Sequence, residues 1–225
     1  MFYLGISLFN IPHLMILILI SVASVFFFKL GREKKGELWI PWLFTGILLG
    51  SWIFGGIYAF VLGLWSYTWG LPLQLCDLAV FLIIASLFSK SRWIWYLAYY
   101  WILCGSIPAV LVPDLPVDFP NPFYLLFFLV HGGVIVLLFY LVGKGRQIER
   151  SSIKQVWIMS HLYVIVVALF NLLFQTNYLF LCAKPSQFSP LDWFGPWPIY
   201  LFALECYFIV ALYFWYAVSK KLNRL

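Results

Sequence analysis

The sequence predicts an all-α, polytopic membrane helix bundle forming a single domain over residues 1–225, and three observations carry that prediction. Hydrophobic residues make up 64% of the chain and charged residues only 10%, against about 25% charged in soluble domains. Mean hydropathy is +0.97. Apolar runs of about 20 residues, each long enough to cross about 30 Å of hydrocarbon as a helix, recur from end to end. The 14 Lys and Arg residues cluster between those runs, as the positive-inside rule requires.

The apolar runs place seven spans at 12–29, 39–63, 71–89, 93–112, 122–143, 156–176 and 197–218. The first lacks a preceding basic region and a small-residue cleavage site, so it reads as a retained span and not a signal peptide. The third starts after Gly70 with Pro72 in its first turn, where proline is tolerated, which puts Cys76 and Asp77 in the second turn. Basic clusters Lys29/Arg32/Lys34/Lys35, Lys90/Arg92, Lys144/Arg146/Arg150/Lys154 and Lys220/Lys221/Arg224 follow spans one, three, five and seven. Those ends share the cytoplasmic side of a cell membrane. Only Lys184 falls opposite, so the N-terminus is outside and the C-terminus inside.

The formal charge of +6 raises nucleic-acid binding as a function, but the basic residues flank apolar spans and form no stripe on a soluble surface. No nucleic-acid partner is implied; membrane lipids are the implied solvent and substrate. Cys76, Cys104, Cys182 and Cys206 lack CxxC or metal-ligand spacing. No cofactor or metal motif is present. The outer connections "SYTWG", "VPDLPVDFPNP" and "QTNYLFLCAKPSQFSPLDWFGPWP" are rich in Pro, Gly and interfacial aromatics. With Leu179, Phe180, Phe188 and Phe194, the last of them is too apolar for a free linker and reads as a lid over the outer face.

Polar groups inside spans are costly and mark bundle interiors or wet cavities. Counted at about 1.5 Å per residue, Cys76 and Asp77 lie about 8 Å below the outer ends of their helices, Asn171 about 9 Å, Glu205 about 11 Å and His131 about 14 Å. Four helices thus bring polar groups to one layer in the outer half. Asn171, Gln175 and Tyr178 share a helix face at i, i+4, i+7 if helix six continues that far. "HGG" at 131–133 gives the histidine two small neighbours that allow close approach.

A cysteine and a histidine on facing helices are the ingredients of an activated nucleophile. His131 would take the Cys76 proton, Gln74, Asn171 or Tyr178 would donate to an oxyanion, and Asp77 and Glu205 would orient the site. Two other classes fit the same residues. One is a small-solute transporter or receptor using Asp77, Glu205 and His131 as binding site or proton relay. The other is a structural membrane protein whose polar groups only join helices.

"LPLQLCDLAVF", "FPNPFYLLFFLVHGG" and "NYLFLCAKPSQFSPLDWFGPWPIY", with "IPHLMIL" at the first helix, resemble in order the motifs of YwaF-like membrane proteins, relatives of the transmembrane protein 164 family. The resemblance implies a multipass acyltransferase acting on membrane lipids, with Cys76 as nucleophile and His131 as base. It also implies a histidine in the pattern "LPLHLC", where this chain has Gln74.

Overall fold

The computed structural model describes residues 7–33, 39–186 and 189–222. Lys34, Lys35, Phe188 and Arg224 of the sequence reading lie outside them. Among the described residues the chain is all helix and loop. Seven apolar helices follow one another: α1 (Ile11–Arg32), α2 (Trp39–Val61), α3 (Leu75–Phe88), α4 (Arg92–Leu111), α5 (Pro122–Gly143), α6 (Ser151–Phe174) and α7 (Ile199–Leu222). All but α3 are long and apolar enough to cross a membrane.

Helix starts follow from local chemistry. Asn10 accepts the His13 N–H at 2.9 Å and Asn121 the Phe123 N–H at 2.9 Å, each just before a proline. Proline at that position sacrifices no helical hydrogen bond. Asp118 ties the two starts together, accepting from the Ser7 N–H at 3.2 Å and the Asn10 side-chain amide. Burial alone would raise its pKa, but bonds from the Phe119 and Ser7 N–H groups and from Asn10 hold the carboxyl below its ordinary value.

The third span corrects the sequence reading. Helix α3 begins at Leu75, so Pro72 lies outside it and Cys76 and Asp77 occupy the first turn, with Gln74 as N-cap. At 14 residues it covers only about 21 Å. Residues 71–74 satisfy their backbone elsewhere: the Leu71 N–H donates to the Tyr178 hydroxyl at 3.0 Å, and the Leu73 carbonyl accepts from the Tyr163 hydroxyl at 2.8 Å. Side chains from distant parts of the chain thus replace the missing helical turn. The sixth span is corrected at its far end, because α6 stops at Phe174 with Gln175 in the left-handed conformation at φ 53°. Gln175 and Tyr178 therefore do not continue the helical face of Asn171.

Helices α4 and α5 are buried over most of their length, whereas α1, α2, α6 and α7 turn most of theirs outward. Helix α5 packs along α1 and α2 on one side and along α3 and α4 on the other, and α6 and α7 close against α4. The aromatic polar tips of α4 find partners around it. Trp101 donates to Ser160 at 2.8 Å, Tyr99 to the Trp215 carbonyl at 2.9 Å and Trp95 to the Gln147 carbonyl at 3.0 Å. Buried Trp and Tyr need such partners.

Pro108 interrupts α4. It has no N–H for the Cys104 carbonyl four residues back, and the helix widens into a π segment over Ile102–Ser106. The Tyr207 hydroxyl of α7 supplies the missing donor to the Cys104 carbonyl at 3.2 Å. The widened turn also brings Gly105 onto the start of α3: a Cβ there would stand 3.7 Å from Leu75 Cβ and 3.8 Å from the Cys76 nitrogen.

The tightest helix contact joins α1 to α5. A Cβ on Gly143 would lie 2.2 Å from the Phe28 carbonyl oxygen, and one on Gly31 would lie 2.4 Å from that of Tyr140. Neither backbone can yield without moving its helix. Gly143→Leu is therefore expected to destabilise the fold by about 1–3 kcal/mol, the usual cost of overpacking, while Gly46→Leu, where a Cβ meets nothing, changes little. Thermal unfolding of the two variants in the same detergent checks this.

Candidate functional site

Two irregular segments, 71–74 and 177–183, meet at the end of the bundle opposite the basic clusters. The clamp between them is built mostly from side chains. Asn171, buried on α6, engages it with both ends of its amide: Nδ2 donates to the Tyr178 carbonyl at 2.9 Å, while Oδ1 accepts from the Tyr178 N–H at 2.9 Å and the Thr176 hydroxyl at 2.7 Å. The Tyr178 hydroxyl donates to the Tyr67 carbonyl at 2.8 Å as it accepts from Leu71. Gln74 Oε1 accepts the Leu179 N–H at 3.0 Å. Leu179 and Phe180 both hold positive φ, 60° and 54°, a conformation that costs a residue with a Cβ about 1–2 kcal/mol. The Phe180 carbonyl is held by the Tyr200 hydroxyl and that of Leu181 by Trp197 Nε1 at 3.0 Å. The 177–183 segment is thus fastened from α3, α6 and α7.

Beneath this clamp lies the first turn of α3. Cys76 is half-buried there, and the N–H groups of this turn have no helical carbonyl before them. Asp77 is the acidic residue of that first turn. Tyr163, whose hydroxyl holds the Leu73 carbonyl, lies within electrostatic reach of both Cys76 and Asp77. It was not singled out from the sequence, yet a signal existed: Tyr163, Val167 and Asn171 repeat every four residues, and Val167 and Asn171 are both buried. Ser106, in the π segment next to Gly105, buries a hydroxyl that has no hydrogen-bond partner among the described residues. So does Tyr124 on α5.

His131 sits on α5 with 7% of its surface exposed. Its Nδ1 is 2.9 Å from the Phe127 carbonyl, and its ring stacks on Phe127 at 4.0 Å. A carbonyl only accepts, so Nδ1 carries the hydrogen and the neutral ring presents a bare lone pair at Nε2. That nitrogen is buried and has no partner among the described residues; it makes no hydrogen bond to the Cys76 sulfur. The following Gly132 faces Ile20 of α1 and Gly133 faces Leu48 of α2. Leu138, seven residues on and hence on the His131 side of the helix, lines a void with Tyr99 and Leu103 of α4. His131 therefore belongs to the α4 side of α5.

Glu205 lies elsewhere. Its carboxylate accepts from Trp157 Nε1 at 2.8 Å and stands 3.1 Å from His161 Nε2, with both side chains about a third exposed. His161 is about 20 Å along α6 from the Phe174 end, so Glu205 does not join Asp77 and Asn171 in one layer. His161 Nδ1 in turn faces the Trp157 carbonyl at 2.8 Å. His13 is fully buried and structural in its bonding: its ring takes the Phe9 N–H at Nδ1 and meets the Val110 carbonyl at Nε2. Among the described residues no cluster of His, Cys, Asp and Glu could hold a metal ion.

A bundle of long apolar helices, with polar side chains gathered under one end, defines a multi-pass membrane protein. The chain belongs to the TMEM164 family, whose pattern it matches over residues 8–216. No curated protein and no solved structure gives a match.

Replacing Asn171 with Leu strands the Tyr178 N–H and carbonyl together. Each unpaired buried group costs about 1–3 kcal/mol, so the 177–183 clamp is expected to open. Hydrogen exchange at the Tyr178 and Leu179 amides should accelerate by at least tenfold, whereas Asn177→Ala should affect only the amides of Cys182 and Ala183 that its carbonyl holds.

Proposed function

We propose that this protein is a cell-membrane acyltransferase that moves an acyl chain between lipids through Cys76. In this reading the chain crosses the membrane seven times, the 71–74 segment completing the crossing that α3 is too short to make. Its N-terminus is outside and its C-terminus cytoplasmic, which sends the basic ends of α1, α3, α5 and α7 to one side.

The observation that carries the reading is the bare, buried Nε2 of His131 on the side of α5 that faces α4, whose Gly105 abuts the Cys76 backbone. A neutral imidazole with its lone pair unspent is the form a general base needs. Acyl transfer then proceeds in two balanced steps. His131 Nε2 takes the thiol proton, directly or through one bridging hydroxyl, and Cys76 Sγ attacks the ester carbonyl of a donor lipid. The ester C–O bond breaks, the leaving alkoxide recovers the proton from His131, and the acyl group stays as a thioester. The hydroxyl of a second lipid, deprotonated by His131, attacks that thioester and expels the thiolate, which is reprotonated.

The negative oxygen formed in each step needs donors. The N–H groups at the start of α3 point toward that place in the fold, and Gln74 can contribute, since its Oε1 is spent on Leu179 and its amide nitrogen has no acceptor among the described residues. Asn171 and Tyr178 support this turn as part of the clamp instead, their polar atoms being committed to it. An apolar bundle around the thioester limits hydrolysis.

Cys76→Ala is expected to abolish covalent acylation by a short-chain phospholipid ester, read as loss of the acyl mass increment on the intact protein, with helix content unchanged. Undiminished acylation would place the nucleophile elsewhere. His131→Asn should keep the thiol but slow acylation by about 10²–10⁴-fold.

A further inference from the structure

At the basic end of the bundle a cavity of about 270 Å³ opens between the first turns of α4 and α6. Trp93 of α4 forms one wall, and Ser151, Lys154, Gln155, Ile158 and Met159 of α6 form the other. The α6 residues form a graded stripe. Ser151, Lys154 and Gln155 come first, and Ile158 and Met159 follow, the whole running about 12 Å along the helix. The cavity is half open and walled by mainly apolar surface, with the exposed Lys154 beside Ile158 and Met159, and Trp93 has the character of an interfacial anchor.

Its charge is unbalanced. Lys154 takes part in no ion pair among the described residues, and the nearby acid Glu149 is engaged by Arg92 and by the Ser151 hydroxyl at 3.4 Å. Arg146 is drawn away over the Trp95 ring, 5.4 Å from its centroid. An ammonium group therefore stands over an apolar slot with no carboxylate to meet it. The slot is also remote from Cys76, which lies at the other end of α3, about 20 Å away along the helix.

We propose that this cavity is a binding site for an anionic phospholipid. The phosphate lies on Lys154, with the Gln155 amide as a further donor, and one acyl chain lies against Trp93, Ile158 and Met159. A soluble phosphate would gain only one exposed lysine, screened by salt, and would leave the apolar slot unfilled. A zwitterionic lipid fills the slot but brings a cation toward a site already positive.

The test uses the purified full chain in neutral detergent, with thermal unfolding followed on titration with a phosphatidylglycerol, a phosphatidylcholine of the same chains, or glycerol phosphate. Phosphatidylglycerol should raise the midpoint saturably and the other two should not. Lys154→Gln should weaken that effect about fivefold, the usual share of one lysine at an anionic surface. Met159→Trp should weaken it by filling the slot, and Lys220→Gln, at the far end of α7, should leave it intact. Lys154 is exposed, so its variant folds; native mass spectrometry then counts retained lipid independently of stability. An equal response to phosphatidylcholine, an equal response to glycerol phosphate, or unchanged lipid retention in Lys154→Gln would each overturn the proposal. Loss of Cys76 chemistry bears on none of these readings.

Discussion

Inside a bilayer every backbone N–H and carbonyl must find a partner in the chain, because no water stands by to take it. This single constraint organises the end of the molecule around Cys76. The chain abandons helix at residues 71–74 and again past Phe174, and each break is repaired by a side chain from far away in sequence. Tyr163 and Tyr178 serve residues 71 and 73, Gln74 serves Leu179, and Asn171 serves both backbone groups of Tyr178. The repairs are reciprocal, so neither segment keeps its shape without the other. The same rule governs the middle of α4, where Tyr207 covers the carbonyl that Pro108 cannot.

These breaks are what make chemistry conceivable in so apolar a chain. A continuous third helix would carry Cys76 in its interior, with the N–H groups of that turn consumed by carbonyls one turn earlier. Starting the helix at Leu75 instead leaves the first-turn N–H groups beside the thiol. The widened turn of α4 then lets Gly105 approach that same place. Apart from that widened turn, these breaks gather at one end, and the opposite end is basic and carries the apolar slot beside Lys154.

Much of the architecture is legible in the sequence, because hydrophobic length is a strong signal. The span at 122–143 is met residue for residue by α5, whose start is marked by Asn121 and Pro122. Hydropathy has no means of seeing that "LPLQ" is apolar without being helical, since the groups that unwind it lie about ninety residues or more downstream. Depth counted from helix ends was a sound guide to Cys76, Asp77 and Asn171, which do lie around one clamp. It misplaced Glu205, which meets Trp157 and His161 far down α6, because the offset of one helix along another is invisible to counting. Rotation is equally invisible: nothing in "HGG" states that the glycines face α1 and α2 while the histidine belongs to the α4 side.

Helices α1 and α5 touch backbone to backbone at Gly31 and Gly143, yet more than a hundred residues separate them. During synthesis α1 enters the membrane long before its partner is made. Its apolar window, at a mean hydropathy of 2.4, lets it reside stably in lipid as an independent span. Its glycine face stays uncommitted through the arrival of three further helices, and only when α5 is laterally released does the bundle acquire its central seam. The order of insertion is thereby separated from the order of assembly, and the fifth helix is the one whose arrival converts a set of separate spans into a folded protein.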